Sequence, residues 1–167
     1  MENIMTKVPE MRALILEDNE DRRHAMSNAM AASLPLLKVD FSLTAREMIQ
    51  RIQTAVKSEI AIISLDNDLD MIRSPDGQLI DAGDGIEVMR HLATLQPFAP
   101  VVVHTTNMTA GDQIVKLLRS YDWTYDRVVP YADLRWIDEA WTPLILKYCH
   151  LSMNDSHTFP NNKESLK

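Results

Sequence analysis

Cysteine, glycine and positive charge are all scarce in this chain. Of its 167 residues one is a cysteine, Cys149, so no internal disulfide can form. That excludes the small secreted scaffolds and points to a reducing, cytoplasmic setting. No apolar run approaches the roughly 18–20 residues of a membrane span, and the opening MENIMTKVPEMR lacks the pattern of a signal peptide. Lysine and arginine number 17 against 24 acids, a net charge of −7, with an isoelectric point near 5.1. Tight duplex DNA binding rests on many cations neutralising phosphates, so this balance argues against it. A small anionic ligand held through a metal ion stays open.

What is present is 46% hydrophobic residues, with 4 glycines and 8 prolines, the composition of one ordinary globular domain. A chain of this length buries roughly 68–70% of its unfolded surface and needs no staple. Short apolar runs alternate with amphipathic stretches. RALILE, LLKVDFS, EIAIISLD, PVVVH and a short run at Arg127–Val129 read as strands. Helices are expected over Asn19–Leu34, Thr44–Val56 (with Thr44 and Glu47 as a capping box), around Ile86–Leu95, over Thr109–Tyr121 with Thr109 as cap, and from Asp133 onward. Pro143 must kink or divide the last of these. Five strands alternating with five helices give an α/β fold, a doubly wound five-stranded parallel sheet with helices on both faces. Ser74-Pro75-Asp76-Gly77 between two short apolar pairs predicts a flap over residues 71–82, between the third strand and third helix. Residues 1–10 read as a flexible start, 11–150 as the domain and 151–167 as a disordered polar tail.

In such sheets ligands sit beyond the carboxyl ends of the strands. Those ends read Glu17-Asp18, Asp66-Asn67-Asp68 and His104-Thr105-Thr106-Asn107. If the first and third strands are central, Glu17, Asp18, Asp66 and Asp68 converge, and so many carboxylates cannot all stay ionised without a cation. An oxygen-rich set suits Mg²⁺, Mn²⁺ or Ca²⁺ rather than zinc. The plainer alternative is solvated loop acids capping the following helices.

ALILEDNEDRR and DAGDGIEVMRHLATLQPFAPVVVHTT resemble the response-regulator receiver domain, from about Arg12 to Tyr148. That resemblance implies a phosphoryl-accepting aspartate at Asp66, a sensing hydroxyl at Thr105, Mg²⁺ or Mn²⁺ among the neighbouring acids, and a histidine kinase as partner. The departures are as informative. The receiver's lysine after the fifth strand is Val129 here, and His104 stands where receivers carry an aliphatic residue. SLDNDLD and HTTN, ahead of a helix containing Gly111, resemble instead the cyclic-phosphate-processing branch of the superfamily.

This second resemblance implies a phosphoesterase acting on cyclic phosphates of nucleotides or RNA ends. Mg²⁺ or Mn²⁺ would be held by Glu17, Asp18, Asp66 and Asp68. His104 would be the general acid or base, with Asp66 and Asn107 catalytic beside it, and Thr105, Asn107 and Gly111 would bind the phosphate. The competing readings are a receiver phosphorylated on Asp66 and a degenerate pseudo-receiver that serves only as an interaction domain. At single residues, His104 is open to a structural role as a hydrogen-bonded strand end, and Asn107 to a role as a turn residue.

Overall fold

Strand β1 (Arg12–Leu16) sends Ala13 and Ile15 into one apolar core and Leu14 and Leu16 into another, as the two-residue repeat of a strand requires. The computed structural model describes residues 10–131 and 133–155. After β1 come α1 (Glu20–Ser33), β2 (Lys38–Ser42), α2 (Ala45–Thr54), a 3₁₀ turn at Lys57–Glu59 and β3 (Ile60–Leu65). Two short strands, β4 (Ile72–Arg73) and β5 (Leu79–Ile80), lead to α3 (Gly85–Leu92), β6 (Val101–His104), α4 (Met108–Ser120) and β7 (Tyr125–Val128). A π-helical turn, Ile137–Trp141, runs into α5 (Thr142–Asp155).

The main sheet has the order β2-β1-β3-β6-β7, and every pairing in it is parallel. The chain winds outward from β1 to β2, then returns to place β3 on the other side of β1. The β1/β3 boundary is therefore the topological switch point, where the carboxyl ends of strands open a crevice. Met26 and Met30 of α1 and Ile145 and Cys149 of α5 cover one face of the sheet; α2, α3 and α4 cover the other. The five-stranded α/β expectation is met, and β4 pairs antiparallel with β5 in a separate hairpin whose turn carries Gly77 at φ 87°.

Local boundaries moved for identifiable reasons. The α4 cap is Asn107 rather than Thr109, because the Asn107 side chain accepts from Ala110 N–H. Strand β2 starts only at Lys38, with Leu36 left 90% exposed ahead of it. Thr44 does cap α2, but Glu47 reaches Leu43 N–H instead of closing the capping box on Thr44. Pro143 is accommodated without a break: in the π turn before it the Thr142 N–H reaches back to the Ile137 carbonyl, an i→i+5 bond. Helix α5 runs to Asp155; residues 1–9 and 156–167, where the expected flexible start and most of the expected polar tail fall, lie outside the described residues.

Candidate functional site

The alternation that places Ala13 and Ile15 on the α1/α5 face also carries Glu17 to that face, one residue beyond the strand. Asp66 follows β3 in the same way, and its N–H is anchored to the Leu16 carbonyl at 3.0 Å. Gly85 lets this corner close: a Cβ there would sit 2.4 Å from the Asp66 carbonyl oxygen. Glu17, Asp18 and Asp66 then each offer an oxygen within 4.8 Å of the other two. Glu17 and Asp66 are buried while Asp18 is part-exposed, so the cluster has a closed floor and an open rim. A cavity of about 190 Å³ stands over it, lined by Asp18, Asn19, Arg22, Asp66, Asp68, Asp70 and Thr106.

Arg22 is the one cation among the described residues lining this cavity. Its Nη1 lies 3.2 Å from Asp66 Oδ2 and 3.6 Å from Glu17 Oε2, and its guanidinium lies 5.6 Å from the centre of the Trp136 ring. The acidic first turn of α1, capped by Asn19 over Arg22 N–H, puts this side chain one helical turn after the acid pair. No spacing signal in the sequence marks it, since an arginine near a helix start is ordinary. Asp66 Oδ1 accepts from Asn67 N–H at 2.6 Å. Burial pushes the Asp66 carboxyl up to about 6; the Glu17 charge adds to this, while His104, the Asn67 N–H and Arg22 oppose it. For Glu17, burial raises the pKa, but the His104 imidazole, the Asn19 N–H and Arg22 prevail and hold it below the ordinary value.

His104 reaches neither cavity nor solvent: it is 0% exposed. Its Nε2 lies 3.3 Å from Glu17 Oε2, at ion-pair distance but without an aligned hydrogen bond. Its Nδ1 lies 2.9 Å from Ser64 Oγ, and the ring stacks on Trp136 with centroids 5.9 Å apart. Trp141 Nε1–H, donor only, gives its hydrogen to Ser64 Oγ at 2.9 Å. Ser64 Oγ thus sits between the Trp141 indole and His104 Nδ1, and the other ring nitrogen of His104 faces Glu17. The expectation of an imidazole beside the ligand is corrected: His104 ends a central strand whose alternation turns it under α1 and α5, behind Glu17.

The other expected site residues divide. Asp68 borders the cavity but stands outside the close set of three, because its Oδ1 accepts from Asn67 Nδ2 (2.8 Å) and Asn107 Nδ2 (3.0 Å). Asn107 thus caps α4 with its oxygen and holds Asp68 with its nitrogen. Thr105 is fully buried, its Oγ1 accepting from Asn107 N–H, and the hydroxyl that borders the cavity belongs to Thr106. Gly111 faces away from the cluster; a Cβ there would meet the Arg127 guanidinium at 2.3 Å, so its smallness serves packing. Arg127 itself pairs with Asp112 at 2.6 Å, and Val129 is 45% exposed, so β7 brings no cation to the acids.

Compared with known proteins, residues 12–120 match the family model described as the cyclic-phosphate processing receiver domain. No curated protein matches the chain. Among solved structures, the signal receiver domain of a putative Luxo repressor protein from Vibrio parahaemolyticus is 17% identical, with a TM-score of 0.61 over 90% of this chain and 99% of that one. The phosphorylated cyanobacterial phytochrome response regulator RcpA is 18% identical, with a TM-score of 0.59 over 91% and 99%. The Mn²⁺-bound form of response regulator Rcp1 is 16% identical, with a TM-score of 0.58 over 82% and 90%. At these identities the structures speak for the fold alone.

Proposed function

The chain belongs to the family of cyclic-phosphate processing receiver domains, and from that premise we propose that it is a divalent-metal-dependent phosphoesterase opening cyclic phosphates of nucleotides or RNA ends. The observation that carries this reading is the set of three carboxylates, Glu17, Asp18 and Asp66, meeting under a cavity that Arg22 also borders. The donor set fits a hard cation: Glu17, Asp18 and Asp66 each offer a carboxylate oxygen within 4.8 Å of the other two, an all-oxygen set. Glu17, Asp18 and Asp66 would hold Mg²⁺ or Mn²⁺, and the Mn²⁺-bound receiver among the structural relatives agrees with that choice. Such an ion supplies charge neutralisation at the phosphoryl oxygens and acidifies bound water.

The protein's own groups do the rest. Arg22 offers its guanidinium to a nonbridging phosphate oxygen, taking the place of the cation that Val129 does not supply. The exposed Thr106 borders the same cavity and offers its hydroxyl as a second donor. His104, braced by Ser64, Trp141 and Trp136, acts on Glu17 as a positioning residue, keeping that carboxylate ionised and oriented in a buried place. A net charge of −7 favours a short RNA end or free nucleotide over a duplex. In the test, 2′,3′-cyclic nucleotides are incubated with the full chain and Mg²⁺ or Mn²⁺. Turnover that falls by about a hundredfold or more in Arg22→Gln and Asp66→Asn is expected; no turnover above those variants contradicts the proposal.

The second reading, phosphorylation of Asp66 by a histidine kinase, draws on the receiver fold and on the phosphorylated receiver among the relatives. Against it, Val129 stands where receivers carry the lysine that follows the fifth strand. Mass gain of one phosphoryl group after acetyl phosphate treatment would favour this reading over hydrolysis.

A further inference from the structure

A second cavity, of about 490 Å³, adjoins the first and shares Asp68 with it as a common wall. It opens between the loop after β3, the start of α3 and the first turns of α4, and falls within the roughly 300–1,000 Å³ span of small-molecule sites. Its shared wall is fixed in place: Asp68 Oδ1 takes hydrogen bonds from Asn67 and Asn107, and Asn67 Oδ1 accepts from Ile86 N–H at 3.3 Å. Opposite stand Thr109 and Gln113, four residues apart on α4 and so on one face of it. Neither side chain makes a hydrogen bond within the described residues, which leaves a hydroxyl and an amide free for a ligand. Asp68 and Asp84 add carboxylate acceptors, and no lysine or arginine borders the cavity among the described residues.

We infer that this second cavity is the subsite for the nucleoside part of the phosphorylated ligand, a neutral group rich in hydroxyl and amino donors, and that it rejects an additional phosphate. The inference rests on the proposed placing of the reacting phosphate beside Arg22 and the three acids. From there the path past Asp68 leads into the larger space, and the acceptors lining it match ribose hydroxyls and exocyclic amines. Two carboxylates without a cation repel a second phosphate.

The test is calorimetric titration of the full chain in Mn²⁺ with three probes: inorganic phosphate, adenosine 3′-monophosphate and adenosine 3′,5′-bisphosphate. The nucleoside monophosphate is expected to bind about tenfold tighter than phosphate, the worth of two net hydrogen bonds, and the bisphosphate more weakly than the monophosphate. Thr109→Val with Gln113→Leu changes two exposed positions, so the fold is retained. That double variant is expected to erase the tenfold advantage and leave inorganic phosphate binding unchanged. Equal affinity for phosphate and nucleotide, an advantage that survives the double variant, or tighter binding of the bisphosphate overturns the subsite while the acid cluster stands. No binding of any probe overturns both.

Discussion

Asp66 carries two demands at once: it must be buried to close the corner beneath the cavity, and it must be ionised to serve a cation. Burial wins in the free protein, and its carboxyl is raised from 3.8 to about 6. The folded state therefore holds a proton more readily than the unfolded chain. The associated stability is complete below about pH 3.8 and is lost as pH rises through about 6. In metal-free protein, the melting temperature of Asp66→Asn should gain on wild type steadily as pH is raised from about 4 to about 7. A gap that does not change with pH shows that Asp66 carries no such penalty. At this scale the acids were legible in the sequence, since Glu17, Asp18 and Asp66 simply follow apolar runs. Arg22 was not, because nothing in LEDNEDRR shows which arginine of the pair turns back toward the acids. His104 was half legible. Its place at a strand end was plain, but its burial depends on the VVVH alternation, which puts it on the same face as Val102 and against the Trp136 ring.

The elements hold these residues through close backbone approach. Helix α3 begins against the β3 loop with Gly85 N–H bonded to the Asn67 carbonyl at 3.2 Å, and the missing Cβ is what allows it. Gly85→Ala would put a methyl 2.4 Å from the Asp66 carbonyl oxygen and 3.0 Å from Asn67 Cα, neither of which can rotate aside. Denaturant unfolding should show a loss of about 1–3 kcal/mol. An unchanged midpoint means that the corner has room for a methyl group. Helix α5 shows the other limit of sequence reading. Pro143 announced a disruption, but not that a π turn would absorb it. The bond from Trp141, within that turn, to Ser64 spans 77 residues of sequence. Such a contact depends on sheet register and helix phase together, and neither is written in local pattern.

Across the whole molecule, strand order decides what meets. Because β1 and β3 are neighbours at the switch point, two acid-ended strands converge; had β1 lain at an edge, the same residues would be scattered loop acids. The alternation of strands and helices made the doubly wound parallel class readable from the chain, whereas the strand order entered the sequence reading only as a condition and cavity shape not at all. The hairpin β4–β5 stays apart from the main sheet, but its approach is tied to the site: Asp70 N–H donates to Asp18 Oδ2 at 2.5 Å. Among the described residues no helix is long and apolar enough to cross a membrane.

Everything functional in this account depends on Glu17, Asp18 and Asp66 holding a divalent ion. Titration of the full chain with Mn²⁺, followed by calorimetry, addresses that directly: wild type should bind one ion per chain, and Asp18→Asn, at the part-exposed rim, should weaken binding by about tenfold or more with an unchanged circular dichroism spectrum. Absence of binding in wild type, or equal binding in Asp18→Asn, would contradict it.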